Sequence, residues 1–184
     1  KLVLGAYGES EDFFTLKGCV EAILKSQRIT EPEFAAVSDN PSFHPGRCAE
    51  ISFGGRVLGI MGQIHPKVQD NYGIDMPVYV AELDLETIFE SKGPEPSYRP
   101  LPRYPSVYRD LAIVCDSDTP VAVISKVIKE AGGKLLKEVR LFDIYTGSPI
   151  PEGKKSAAFS LEFRSDEQNL TDAEVNPPID KILK

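Results

Sequence analysis

Residues 154–164 read KKSAAFSLEFR, and their alternation decides the architecture of the second half of the chain. From Lys155 to Arg164, Ala157, Phe159, Leu161 and Phe163 fall on one side of an extended segment. Ser156, Ala158, Ser160, Glu162 and Arg164 fall on the other. A period of two with one apolar side predicts a strand buried on one face and mostly wet on the other. Upstream, Asp110–Cys115 and Leu136–Tyr145 also read as strands. Between them, Thr119-Pro120 predicts an N-cap and a first-turn proline. The helix that follows carries Val121, Ile124, Val127, Ile128 and Ala131 and closes on Gly132-Gly133. Beyond the third strand, Thr171-Asp172-Ala173-Glu174 predicts a capping box opening a last helix. Strand, helix, strand, strand, helix is five elements of a ferredoxin-like split βαβ unit, whose closing strand would lie beyond Lys184. Pro177-Pro178 should break or kink the last helix near Asn176, because an interior proline costs about 3 kcal/mol or more.

A sheet covered by helices on one face and open on the other is a platform on which bases can stack on aromatic side chains. Strict alternation along the second strand puts Val139, Leu141, Asp143 and Tyr145 on one face and Arg140, Phe142 and Ile144 on the other. A stacking ring at Tyr145, a carboxylate at Asp143 and a hydroxyl at Ser156 would suit such a platform. Periodicity leaves open which face is wet, and by itself Tyr145 reads more readily as an ordinary strand aromatic near a turn.

The first half is organised differently. Asp12 precedes FFTLKGCVEAILK, an amphipathic helix by the spacing of Phe13, Leu16, Val20, Ile23 and Leu24. A turn-rich segment, SDNPSFHPGR, leads into Cys48–Phe53 and Arg56–Ile64, a hairpin turning at Gly54-Gly55. A short helix from Pro66 and a strand at Val78–Leu83 follow. Then SKGPEPSYRPLPRYPS, residues 91–106, carries five prolines and predicts an extended, stiff connector.

The chain has 184 residues, enough for one or two domains, and 41% of them are hydrophobic, enough for a real core. Its net charge of −7 argues at face value against a nucleic-acid partner. Residues 1–97, however, hold 8 Lys+Arg and 15 Asp+Glu, whereas 98–184 hold 13 of each. No apolar run approaches the ~20 residues that span a bilayer, which points to a soluble, cytoplasmic chain without a membrane partner. An opening at Lys1 without Met and an end inside a helix-like stretch predict a piece of a longer polypeptide.

Cys19, Cys48 and Cys115 are scattered, and none forms a close-spaced pair of the kind zinc or redox motifs use. His44 and His65 each precede a proline. A hydrolase would need Cys48 beside one of them with a third group orienting the ring, and no such arrangement is visible. No phosphate-cradling loop is present, and Gly59 and Gly62 in an apparent strand mark close backbone approach. These residues predict no catalytic site and no metal site.

The segments DFFTLKGCVEAIL, FHPGRCAEI, GQIHP, RYPSVYRDLAIV, LFDIYTG, IPEGKKSAAFSLEFR and TDAEV occur in this order from Asp12 to Val175. Together they resemble the C-terminal portion of the bacterial phenylalanyl-tRNA synthetase β subunit. The resemblance implies an α+β chain: residues 1–90 as the end of a catalytically inactive, class II synthetase-like antiparallel sheet domain, 91–106 as linker, and 98–184 as a ferredoxin-fold anticodon-binding domain truncated before its last strand. It implies tRNA(Phe) and an α subunit as partners in an (αβ)₂ tetramer. It places aminoacylation, ATP and magnesium outside this chain, which would need no cofactor itself. By resemblance, Asp143, Tyr145 and Ser156 contact the first anticodon base, Tyr145 by stacking and the others by hydrogen bonds. Arg109, Lys154, Lys155 and Arg164 are candidate phosphate contacts by charge and place, with a solvated surface as the alternative expected for at least half of them. A structural or small-molecule-sensing βαββαβ module is the competing reading, since that fold hosts both. The Cys48 hydrolase is the remote one.

Overall fold

A computed structural model describes residues 1–98 and 100–183. The chain is α+β and divides into two compact units, Lys1–Tyr98 and Arg99–Lys184.

In the first unit, β1 (Leu2–Tyr7), β2 (Glu33–Ala36), β3 (Phe43–Phe53), β4 (Arg56–Ile64) and β5 (Val78–Leu83) form one antiparallel sheet in the order β1-β5-β4-β3-β2. Helix α1 (Phe13–Ser26) buries Leu16, Val20 and Leu24 against Ile51, Met61, Ala81 and Leu83 of that sheet. Asp12 caps α1 by accepting from the Thr15 amide at 2.7 Å, and that bond holds its carboxyl below the ordinary value. Helices α2 (Pro66–Asn71) and α3 (Leu85–Glu90) are short. The hairpin turns at Gly54-Gly55, both at positive φ. A Cβ on Gly59 would collide with the Glu82 carbonyl and one on Gly62 would stand 2.6 Å from that of Arg47, so neighbouring backbones do close on both glycines. Two details depart from the sequence reading. Phe43–Arg47 belong to β3 rather than to a turn, entering through a register shift before Cys48. The proline-rich stretch is tied to this unit at its start, where Glu95 pairs with Arg28 at 2.6 Å.

The second unit comprises β6 (Val107–Asp116), α4 (Val121–Gly132), β7 (Leu136–Tyr145), β8 (Lys154–Phe163) and α5 (Asp172–Ile182). Its antiparallel sheet runs β6-β8-β7. Ala157, Phe159, Leu161 and Phe163 of β8 are fully buried with Ile128 of α4 and Val175 of α5. Burying a large side chain of this kind stabilises by roughly 1.5–3 kcal/mol, so the central strand anchors both helices. The N-cap of α4 is Pro120, not Thr119, because Pro120 is still extended at ψ 134°. Helix α5 is capped by the Glu174 carboxylate, which accepts from the Thr171 amide at 2.8 Å. It then runs through Pro177 and Pro178 to Ile182 without the expected break. Both prolines lie more than a turn inside the helix, so the Ala173 and Glu174 carbonyls lose their intrahelical donors. Val175, Ile179 and Ile182, packed on the core on either side of the prolines, offset that loss.

Candidate nucleic-acid interface

The strand β7 is not regular. Leu141 pairs with Phe159, but the next pair is Asp143 with Ala158, so Phe142 is an extra residue in a β-bulge. The bulge overturns the face assignment drawn from strict alternation. Val139 and Leu141 stand opposite the buried Leu161 and Phe159 on the helix side, and Ile144 stands opposite buried Ala157. Past the bulge the alternation is inverted, so Asp143 and Tyr145 share the open face with Arg140 and with Ser156, the direct partner of Tyr145. Were Phe142 paired in a regular strand, Asp143 and Tyr145 would point at the helices, on the side away from Ser156.

Pairing across β6, β8 and β7 orders the open face in rows: Tyr108–Glu162–Glu138, Asp110–Ser160–Arg140, Ala112–Ala158–Asp143 and Val114–Ser156–Tyr145. The Tyr145 ring is 46% exposed. Its hydroxyl donates to the Ser148 carbonyl at 2.7 Å in the loop joining β7 to β8, which fixes the ring. Gly147 in that loop has φ 126°, and a Cβ there would lie 3.3 Å from the Tyr145 hydroxyl. Beside the ring, the alanine pair of the next row leaves a low floor flanked by Asp143. A half-exposed ring, a carboxylate that accepts from amino and imino groups, and a hydroxyl that donates or accepts can together stack and edge-read one planar heterocycle.

The basic residues nominated by charge are elsewhere or engaged. Arg109 pairs with Leu161 on the helix side, and its guanidinium binds Asp172 of α5. Lys155 opposes Cys115 and donates to the Ser117 and Thr119 carbonyls at 2.9 and 2.6 Å, pinning the loop before α4. Lys154 is on the open face but pairs with Asp116 at 2.7 Å, an interaction that raises the lysine pKa and lowers that of the aspartate. Arg164 donates to Glu162 at 3.2 Å from a largely covered position. Arg140, which charge and spacing did not single out, is the cation of the open face with no ion pair among the described residues. Only the register, invisible to composition, could have found it.

The Cys/His constellation does not form. His44 and His65 each use Nδ1 to accept a backbone amide two residues on, from Gly46 at 3.0 Å and Lys67 at 3.1 Å. Burial pushes the Cys48 thiol up, away from a nucleophilic thiolate. Among the described residues no cluster of His, Cys, Asp or Glu could hold a metal ion, and no helix is long and apolar enough to cross a membrane.

Comparison with known proteins divides the chain along the same lines. Residues 102–184 match the ferredoxin-fold anticodon binding domain, and residues 2–85 match the phenylalanyl tRNA synthetase beta chain CLM domain. The phenylalanine–tRNA ligase beta subunit of Clostridium tetani is 43% identical over 183 residues, 100% of this chain and 23% of that protein. Those of Bacillus licheniformis and Bacillus subtilis are 46% and 43% identical over 173 residues, 94% of this chain and 21% of each relative. The chain thus spans less than a quarter of the length of the curated relatives it matches.

Proposed function

The chain belongs to the family of phenylalanine–tRNA ligase β subunits, matching their C-terminal part, and from that premise we propose that its second unit reads the anticodon of tRNA(Phe) for the ligase. Tyr145 stacks on the first anticodon base, while Asp143 and Ser156 hydrogen-bond its edge. The observation that carries this reading is the bulge at Phe142, which brings the three side chains to one open face. The antiparallel first unit supplies packing against an α subunit in an (αβ)₂ assembly, where ATP-dependent ligation takes place. This chain contributes neither a catalytic residue nor a cofactor site, and the ATP and magnesium sites lie in other parts of the enzyme. The comparisons do not favour the structural or small-molecule-sensing module.

Titrating the ligase that carries this chain with the tRNA(Phe) anticodon stem-loop tests the assignment. Tyr145→Ala should weaken binding by the ~1–3 kcal/mol that one base–aromatic stack contributes. Equal affinity of parent and variant would refute the stacking role.

A further inference from the structure

Two rows along β8 from Ser156, the open face holds a second feature that the Tyr145 site does not use. Tyr108, 61% exposed, and Phe142, 52% exposed, line a shallow depression with Ser160 among the residues between them. Asp110 and Arg140 stand on either side of Ser160 in one row, an acceptor on β6 and a donor on β7. Bulky aromatic rings on a wet sheet face contribute nothing to the core on the other side, and Phe142, the bulge residue itself, shares the open face with Arg140.

We infer that this depression is a second base subsite, taking an unstacked nucleotide of the same anticodon loop. The inference rests on the anticodon-reading assignment above. Ser160 lies about 13 Å along the strand from Ser156, four residues at ~3.3 Å each. A base stacked on its neighbour would lie only ~3.4 Å away. The second base is therefore splayed out of the stack, the state in which single-stranded loops are read. Phe142 and Tyr108 supply the stacking surfaces, and Asp110 accepts from an amino or imino group. Arg140 donates to a ring carbonyl or to the adjoining phosphate. Glu138, whose row partner Glu162 is neutralised by Arg164, repels phosphate and so marks the end of the track.

A cycle of protein and RNA changes in the intact ligase tests it. Phe142→Leu, which keeps the bulge residue and its apolar bulk, and Arg140→Gln are titrated with the anticodon stem-loop. They are also titrated with loops made abasic in turn at each nucleotide flanking the first anticodon position. Each substitution should weaken binding of the intact loop roughly tenfold, and one abasic loop should erase the Phe142→Leu penalty. Unchanged affinity for the intact loop, or a penalty that persists with every abasic loop, overturns the subsite. Tyr145→Ala serves as the internal reference. If it weakens binding while Phe142→Leu and Arg140→Gln do not, only the second subsite fails; if none of the three matters, the anticodon-reading assignment fails with it.

Discussion

At Tyr145 a single hydroxyl separates the stacking proposed for the ring from the anchoring of the ring itself. The ring offers its face, while the hydroxyl is consumed by Ser148 and has no proton left for a base. Tyr145→Phe keeps the stacking surface but loses the tether, a surface hydrogen bond worth about 0.5–1.5 kcal/mol. Its affinity for the stem-loop should therefore fall clearly less than that of Tyr145→Ala in a side-by-side titration. A phenylalanine variant as weak as the alanine one would show that orientation, not stacking area, governs the site. The residue types were legible in the sequence, because an aromatic, a carboxylate and a hydroxyl on neighbouring strands already suggested edge-reading of a base. The anchoring was not, since nothing in the letters says that the Ser148 carbonyl folds back under the ring. The surroundings of the basic residues were hidden for a related reason: charge is visible in a sequence, but its pairing with Asp172 or Asp116, or its use in pinning a loop, is not.

For β7, whether Phe142 is paired or bulged decides which way every later side chain points. Deleting Phe142 should restore regular pairing with β8 and leave Asp143, now next after Leu141, on the open face with Tyr145 and Ser156. The expected outcome is a chain that retains its β-sheet circular dichroism and still loses stem-loop affinity when Tyr145→Ala is added. A folded deletion variant in which Tyr145→Ala no longer matters would contradict this register. Strands β6 and β8 were legible because their period of two is unbroken and one side is uniformly apolar. The bulge was hidden because LFDIY alternates acceptably in either frame, and only pairing to β8 chooses between them. Helix α5 shows the opposite error. Pro177-Pro178 is a strong local signal for a break, and tertiary burial of Val175, Ile179 and Ile182 overrides it.

Taken as a whole, the molecule places its net negative charge in the first unit and none in the unit proposed to read RNA. The entire net charge of −7 resides in residues 1–97, while 98–184 balance 13 basic against 13 acidic residues. On the open face Arg140 is the cation left without an ion pair among the described residues, so few phosphates are neutralised. Stem-loop affinity should fall gently with salt, with a logarithmic slope near −1 to −2, given about −0.7 per phosphate on a single strand. A slope steeper than about −3 would mean that Lys154, Arg109 or their neighbours abandon their protein partners on binding. Total charge thus described neither unit, whereas the division of charge between them did.

Asp143, Tyr145 and Ser156 all come from the single hairpin β7–β8, so the surface closes through partners near one another in sequence. The entropy of closing so short a loop is small, and hairpins organise within about 1–10 μs. Helices α4 and α5 are not required to bring those three side chains together; they cover the opposite side of the sheet. Damage on the helix side should therefore act first on abundance, by lowering the fraction of chains that fold, whereas damage on the open face of the hairpin should act on the proposed stem-loop binding. Substitutions in this small unit should separate into those two phenotypes according to which side of β8 they fall on.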